Sequence, residues 1–144
     1  MAQQGIRDSK DLIKIMNIAI IQARMGSSRL PGKVLMELDG KPLLEFMYNR
    51  VIKSKLIDKI VVATTTKKSD DPIIDLCRRN KISFYRGSES DVLDRYYKTA
   101  IKYNPKTIIR LTSDCPLIDP NLIDRTIELF HIKKIDYASN TIKP

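Results

Sequence analysis

The stretch IIQARMGSSRLPGK, residues 20–33, leads from an apolar run into a loop that combines small, hydroxyl and cationic side chains. Glycines such as Gly26 and Gly32 let the backbone turn tightly and approach a ligand closely. Arginine holds phosphate oxygens in a planar, two-pronged grip, whereas lysine acts as a mobile point charge. A triphosphate needs this combination, which the loop supplies through Ser27, Ser28, Arg24, Arg29 and Lys33.

Two better-known phosphate motifs do not fit this loop. Five residues separate Gly26 from Gly32 where a P-loop has four, and Val34 follows Lys33 in place of serine or threonine. No glycine lies two residues before Gly26, so a dinucleotide-binding GxGxxG motif does not fit either. From the residues alone, a basic turn on a solvated face remains the alternative to an anion-binding loop.

The regions around the loop alternate between two hydrophobic patterns. Short runs rich in β-branched and aromatic residues, typical of strands, occur at 18–21, 60–64, 82–85, 107–111 and 135–138. Apolar or small residues with the three- and four-residue spacing of helices occur within 43–51, 92–100 and 122–130. This alternation predicts an α/β fold in three layers, with a mostly parallel sheet and helices on both faces.

Helix start signals support this prediction. Asp71 precedes Pro72 and Asp119 precedes Pro120, so each aspartate is predicted to cap a helix whose first turn contains the proline. Parallel sheets of this kind bind ligands beyond the carboxyl ends of their strands. We therefore expect the functional residues in the loops that follow residues 21, 64, 85 and 111.

Length, charge and hydropathy limit the class of protein. The 144 residues suit one domain, and residues 1–15 are predicted to form an irregular extension ahead of it. The 26 Lys and Arg against 17 Asp and Glu give a formal charge of +9, which favours an anionic partner. No apolar segment approaches the roughly 20 residues that span a bilayer, and Cys77 and Cys115 lack the spacing of a metal or disulfide motif. The sequence predicts a cytoplasmic protein with reduced thiols and no membrane association.

Three motifs carry a resemblance to a known family. The strings IIQARMGSSRLPGK, FYRGSESDVLDRYYKTA and RLTSDCPLIDP resemble the cytidylyltransferases that make CMP-activated acidic sugars. The chain is similar to the acylneuraminate and KDO cytidylyltransferases, and most similar to the branch of the spore coat polysaccharide biosynthesis protein F. The resemblance implies a Rossmann-like fold of the nucleotide-diphospho-sugar transferase kind. It also implies a Mg²⁺-dependent enzyme of surface polysaccharide biosynthesis, which transfers CMP from CTP to an acidic sugar and releases pyrophosphate.

The resemblance assigns roles to individual residues. Arg24 and Lys33 would be catalytic residues on the triphosphate, and the backbone at Ala23 would approach the cytosine ring. Asp114 would hold the magnesium ion, since a hard cation prefers carboxylate and phosphate oxygens. The alternative for Asp114 is a turn-forming residue ahead of a Cys-Pro pair. The nucleotide would also be lined by Gly26, Ser27, Ser28 and Arg29.

Three further residues are weaker candidates for nucleotide binding. Thr112 stands where some relatives contact the nucleotide, and Arg86 and Ser88 lie in a loop expected to close over the base. Ordinary loop and capping roles remain open for all three, and Ser88 with Asp91 also fits a helix capping box. The threonines at 64–66, which end the second strand, are a further candidate for base or ribose contacts.

Other residues of the motifs are predicted to be structural. Asp91 and Arg95 have the four-residue spacing of an ion pair on a helix surface. Tyr96 and Tyr97 fall on an apolar helical stripe, which predicts positions in the core or at its edge.

The resemblance also indicates which parts of the family's site are missing. In the family, the acceptor pocket, a further acidic magnesium ligand and much of the homodimer contact come from a segment after the region where this chain ends. We therefore expect residues 16–144 to be the nucleotide-binding part of a cytidylyltransferase, and the sugar stays unassigned. A noncatalytic nucleotide-binding module remains an alternative. A nucleic-acid binder is disfavoured, because the basic residues are dispersed and form no stripe with interleaved aromatics.

Overall fold

The structure is a computed structural model, and it describes residues 16–141. Its strands are β1 (Asn17–Gln22), β2 (Glu37–Leu38), β3 (Lys41–Pro42), β4 (Lys59–Thr65), β5 (Ser83–Gly87) and β6 (Thr107–Thr112). Its helices are α1 (Leu43–Val51), α2 (Asp71–Arg79), α3 (Val92–Tyr103) and α4 (Pro120–Lys133). The predicted irregular extension, residues 1–15, lies outside the described residues.

Four strands form one parallel sheet in the order β5, β4, β1, β6. In the middle of this sheet Ile20 pairs with Val61 on one side and with Arg110 on the other. The chain moves outward from β1 to β4 and β5, and then crosses back through α3 to place β6 on the opposite side of β1. The strand order therefore reverses between β1 and β6, which is where sheets of this class open a crevice for ligands.

Helices cover both faces of the sheet. Met47 of α1 and Ile123 of α4 pack with Ile21 on one face, together with the buried residues of α2. On the other face Tyr96 of α3 packs with Ile20. Alternate residues of β1 thus point into opposite layers, and the predicted three-layer α/β fold is confirmed. Among the described helices, none is long and apolar enough to cross a bilayer.

A short excursion separates β1 from α1. A 3₁₀ helix (Lys33–Leu35) leads into the hairpin of β2 and β3, whose turn places Asp39 and Gly40 at φ angles of 53° and 72°. Glycine takes this left-handed conformation readily and aspartate tolerates it. The Leu43 amide donates to the Met36 carbonyl at 2.8 Å, so the hairpin fixes the point at which α1 begins.

The predicted strand at 135–138 does not form. Residues 135–141 are irregular, and Ile135 and Tyr137 are exposed. Within the described residues β6 pairs with β1 alone, so it forms one edge of the sheet and no further strand pairs with this segment. A composition typical of strands is not sufficient where no pairing partner is present, because strand propensity depends strongly on context.

Two predictions about helices are also wrong. α2 begins at Asp71 itself, and the residue at its N-cap is Asp70, whose side chain makes no capping hydrogen bond. In α3 Tyr96 is buried but Tyr97 is 62% exposed, because successive helical residues point about 100° apart. By contrast, Asp119 caps α4 as predicted and accepts a hydrogen bond from a backbone amide of the first turn.

Candidate functional site

The candidate site lies where the loops after β1 and β6 adjoin. The Ser113 amide donates to the Gln22 carbonyl at 3.1 Å, which holds the start of the loop after β6 against the end of β1. On the other side of β1, the Ala23 amide donates to the Ala63 carbonyl at 3.0 Å. The loop with the predicted triphosphate residues and the loop with the predicted metal ligand are therefore neighbours at the reversal of strand order.

The loop after β1, residues 23–33, is called the cationic loop below, and it closes on the Met25 backbone. The Met25 carbonyl accepts from the amides of Ser27 at 3.0 Å and Gly32 at 2.9 Å. Gly32 has a φ of 72°, which favours glycine, so its predicted role in the turn is confirmed. Gly26 has no positive φ, and a Cβ there would meet nothing within 4 Å. Gly26 is therefore not required by the turn and leaves open space beside the loop.

Among the residues that the structure describes, the cations of this loop have no ion-pair partner. Arg24 and Arg29 are exposed and Lys33 is half-buried, and none of the three forms a salt bridge within residues 16–141. Ser28 is exposed as well. Unpaired cations and accessible hydroxyl groups on one loop form a surface that suits a polyanion.

Asp114 lies in the loop after β6 and carries a stabilised negative charge. A hydrogen bond with the Thr112 hydroxyl holds the pKa of the Asp114 carboxyl below its ordinary value, and the charge of Lys33 also lowers it, although partial burial acts in the opposite direction. Asp114 and Lys33 are thus close enough for their charges to interact across the two loops. Cys115, an exposed free thiol, lies 3.9 Å from an Asp114 oxygen, and the other cysteine, Cys77, is buried and free.

Asp114 is the described residue to test as a ligand for a metal ion at this place. Within 16–141 no group of three or more His, Cys, Asp or Glu side chains could hold a metal ion. Asp114 is an exposed carboxylate with a lowered pKa beside the cationic loop. It fits a hard cation that takes its remaining ligands from phosphate oxygens and water.

Arg86 lies in strand β5, not in the loop where the sequence suggested it. Its guanidinium donates to the Thr65 carbonyl at 2.8 Å and to the Lys67 carbonyl at 2.7 Å, and it pairs with Asp71 at 2.8 Å. These contacts join the end of β4 and the start of α2 to β5. Ser88 follows β5, and its hydroxyl accepts from a backbone amide just before α3 at 3.1 Å. Both side chains therefore make protein contacts.

The predicted ion pair between Asp91 and Arg95 is wrong. Asp91 is the N-cap of α3 and accepts from the Asp94 amide at 2.8 Å. Arg95 is fully buried and donates to the carbonyls of Ser88 at 2.8 Å and Glu89 at 3.2 Å. The Arg95 side chain thus runs under the loop after β5 instead of along the helix surface.

Sequence reasoning missed Asp70, which contacts the cationic loop directly. Asp70 is 2% exposed and accepts from the Met25 amide at 2.8 Å. It also binds Thr64 and Thr65, the threonines that were candidates for base or ribose contacts. The Asp-Asp-Pro string indicated an acidic residue near a helix start, but no local pattern points to a partner 45 residues away.

Comparison with known proteins identifies the family. A sequence model of the family described as cytidylyltransferase matches residues 18–144. The chain therefore belongs to the cytidylyltransferase family, as the three motifs indicated.

Individual relatives show how much of such a protein the chain represents. The spore coat polysaccharide biosynthesis protein SpsF of Bacillus subtilis (strain 168) is 43% identical over 123 residues, which cover 83% of this chain and 51% of that protein. A solved cytidylyltransferase from Leptospira borgpetersenii serovar Hardjo-bovis (strain JB197) is 41% identical, with a TM-score of 0.78 over 83% of this chain and 50% of that one. A solved CMP:2-keto-3-deoxy-manno-octonic acid synthetase complexed with CTP is 25% identical, with a TM-score of 0.71 over 83% and 48%. The chain thus spans about half the length of these relatives.

Proposed function

We propose that this chain binds CTP in the crevice between β1 and β6 and supplies the nucleotide half of a cytidylyltransferase that activates an acidic sugar. The observation that carries the proposal is the placement of Arg24 and Lys33 on one loop beside Asp114 on the next, with the charges of Lys33 and Asp114 interacting. A solved relative that binds CTP supports the choice of nucleotide. The family supports the reaction type.

The proposed reaction is a displacement at the α-phosphorus of CTP. A hydroxyl oxygen of the sugar loses its proton to water and forms the new bond to phosphorus, the bond to the bridging oxygen breaks, and pyrophosphate leaves with that electron pair. Negative charge grows on the phosphate oxygens as this happens, and preorganised cations stabilise it. Arg24 and Lys33 would supply those cations, while the hydroxyls of Ser27 and Ser28 would bind further oxygens, with Gly26 and Arg29 beside them.

Magnesium is part of the proposal. Asp114 would hold the ion, which when bound neutralises charge on the phosphates. The neighbouring Thr112 hydroxyl would keep the Asp114 carboxylate ionised. The cytosine ring is at the other end of the nucleotide. Because the Ala23 N–H already donates to the Ala63 carbonyl, a contact between Ala23 and cytosine would be made by the Ala23 carbonyl. Homodimer formation, an acidic sugar as acceptor and a role in surface polysaccharide synthesis are proposed on the family resemblance.

Nucleotide-dependent thermal shift tests the proposal. Wild type is measured with CTP, UTP, ATP and GTP in the presence of Mg²⁺, beside Arg24→Ala and Asp114→Ala. Arg125→Ala, a change of an exposed residue on α4, is the matched control. We expect the largest shift with CTP, a reduced shift in both site variants and an unchanged shift in the control. Equal shifts for all four nucleotides would contradict the cytidine assignment, and unchanged shifts in both variants would contradict the site.

A noncatalytic nucleotide-binding module is the second candidate, because Arg24, Lys33 and Asp114 could bind a nucleoside triphosphate without transferring its nucleotide. It differs from the first candidate in one measurable step. With CTP, Mg²⁺ and a panel of KDO-type and nonulosonic acids, the module binds CTP but releases no pyrophosphate. Release with any member of the panel would exclude the module.

A further inference from the structure

We propose that Asp70 is a positioning residue of the cationic loop, whose buried carboxylate holds the Met25 amide and thereby sets the direction of Arg24 before a ligand arrives. The contact joins residues far apart in the sequence, at 2.8 Å, and one of them lies directly after Arg24. The inference rests on the proposed function for the identity of the ligand, but not for the contact itself.

The Asp70 carboxylate is anchored firmly enough to act as such a support. One oxygen accepts from the Met25 amide, and the other accepts from the Thr65 amide at 3.3 Å, the Thr64 hydroxyl at 3.3 Å and the Thr65 hydroxyl. Thr64 and Thr65 belong to β4, a central strand, and are buried. Asp70 itself lies between β4 and α2, and its carboxylate ties the cationic loop to the sheet through these two threonines.

Met25 is the residue through which the whole loop can be held. Its carbonyl accepts the two amides, of Ser27 and Gly32, that close the loop, and its own amide goes to Asp70. Fixing the two peptide units that flank the Met25 Cα orients the backbone before and after this residue. Preorganised cations contribute more to charge stabilisation than cations that must first be ordered. Asp70 would supply that order to Arg24.

Charge supports the same assignment. Arg95 is fully buried, and its Nη1 has no hydrogen-bond partner within the described residues. Burial lowers the pKa of the Arg95 guanidinium, the charge of Arg24 lowers it further, and the charge of Asp70 raises it. Asp70 and Glu89 are thus the carboxylates whose charge favours the Arg95 guanidinium, Asp70 more than Glu89, while Arg24 repels it. Without Asp70, the repulsion between the two arginines would be less compensated.

Hydrogen exchange at the Met25 amide, followed by NMR, tests the contact. The variants are Asp70→Ala, which removes the acceptor, and Asp70→Asn, whose amide oxygen still accepts but without charge. Asp75→Asn, at an exposed position of α2, the helix that follows Asp70, is the matched control. The Ile20 amide in the centre of the sheet reports any general loss of stability. We expect exchange at Met25 relative to Ile20 to rise by about tenfold or more in Asp70→Ala, less in Asp70→Asn, and not in the control.

Isothermal titration with Mg²⁺ and CTP tests the link to binding. We expect Kd to rise by about tenfold in Asp70→Ala and by less in Asp70→Asn. The two variants should therefore rank in the same order for the loss of affinity as for the increase in Met25 exchange. Met25 exchange that matches wild type in Asp70→Ala would overturn the proposal, as would faster exchange with an unchanged Kd. If Asp70→Ala does not fold, the comparison of Asp70→Asn with Asp75→Asn decides by the same two criteria. Wild type that binds no nucleotide would contradict the proposed function, whereas Met25 exchange would still report whether Asp70 holds the loop.

Discussion

The loops after β1 and β6 differ from the loops after β4 and β5 in what their charged side chains contact. In the first pair, Arg24, Arg29 and Lys33 form no ion pair within the described residues. Beside the second pair, Arg86 at the end of β5 binds Asp71 and two carbonyls, and Lys67 of the loop after β4 pairs with Glu89 of the loop after β5 at 2.6 Å. The cationic side chains after β1 are thus available to a ligand. The charged side chains near the ends of β4 and β5 instead bind other parts of the chain.

This difference shows that the position of a cation in a motif that resembles a family is not by itself evidence of a binding role. Arginines from both regions lie in motifs that resemble the family's, but their surroundings separate them. A cation that binds a ligand should affect affinity more than folding, and a cation that joins loops should do the reverse. Four predictions test that separation, in order of the size of the expected effect.

The largest effect is expected for Arg95→Met, which changes a side chain that binds the loop after β5. The variant fills a similar volume but removes two hydrogen bonds from a charged, fully buried donor to the Ser88 and Glu89 carbonyls. We expect the free energy of unfolding to fall by about 3 kcal/mol, measured by urea denaturation. Arg125→Met, on the exposed side of α4, is the control and should change it little. If Arg95→Met were as stable as wild type, it would contradict the claim that Arg95 contributes to folding.

Arg24→Ala in the ligand-facing region should do the reverse. We expect Kd for CTP with Mg²⁺ to rise by about 30-fold, which corresponds to about 2 kcal/mol for the loss of charge-assisted bonds. Because Arg24 is exposed and forms no ion pair within residues 16–141, the free energy of unfolding should change little. Calorimetry with CTP and urea denaturation of the same sample measure both quantities. A loss of stability without a loss of affinity would reverse the assignment of this region.

Arg86→Ala sharpens the comparison, since the sequence suggested that Arg86 binds nucleotide. Its contacts with the Thr65 and Lys67 carbonyls and with Asp71 predict a loss of about 1 kcal/mol in unfolding free energy, because the side chain is partly solvated. Kd for CTP should stay within about twofold of wild type. A large rise in Kd at unchanged stability would instead indicate that Arg86 binds the nucleotide.

The smallest effect is expected from the ionisation of Asp114. Its pKa is lowered in the folded chain by the Thr112 hydroxyl and by Lys33, so folding favours the ionised form. The resulting stability is present above the ordinary aspartate pKa of about 4 and is lost as pH falls through the lowered value. We expect urea denaturation of wild type and Asp114→Asn to differ slightly at pH 6, and the difference to shrink as pH falls below about 4. A difference that grows on acidification would contradict the lowered pKa of Asp114.

The fold was predictable from the sequence because its signals are local. The apolar run of β1, the turn at Gly32 and the aspartate that caps α4 each act within a few residues, and the structure has all three. Alternation of strand and helix patterns was enough to predict a parallel sheet. The position of the candidate site followed from the topology, since ligand sites of parallel sheets lie at the carboxyl ends of strands.

The contacts within the site were not predictable in the same way. Asp70 and Arg95 act through partners that the fold brings together, and Arg95 in particular was expected on a helix surface from its spacing to Asp91. The region 135–138 has the composition of a strand, but a strand needs a neighbour to pair with. The hydrophobic periodicity of a sequence describes one helix or strand at a time. Each of these wrong predictions concerns a contact between two elements.

The edge position of β6 has a practical consequence for handling the protein. One side of this strand presents backbone amides and carbonyls that no strand of the described chain pairs with, next to the half-exposed Ile108. Such an edge is a template for intermolecular pairing and hence for aggregation at high concentration. Arg110, exposed in the same strand, disfavours such pairing, because two paired copies of β6 would bring like charges together. Samples for the titrations described above should therefore stay dilute, and the charge at Arg110 should be preserved.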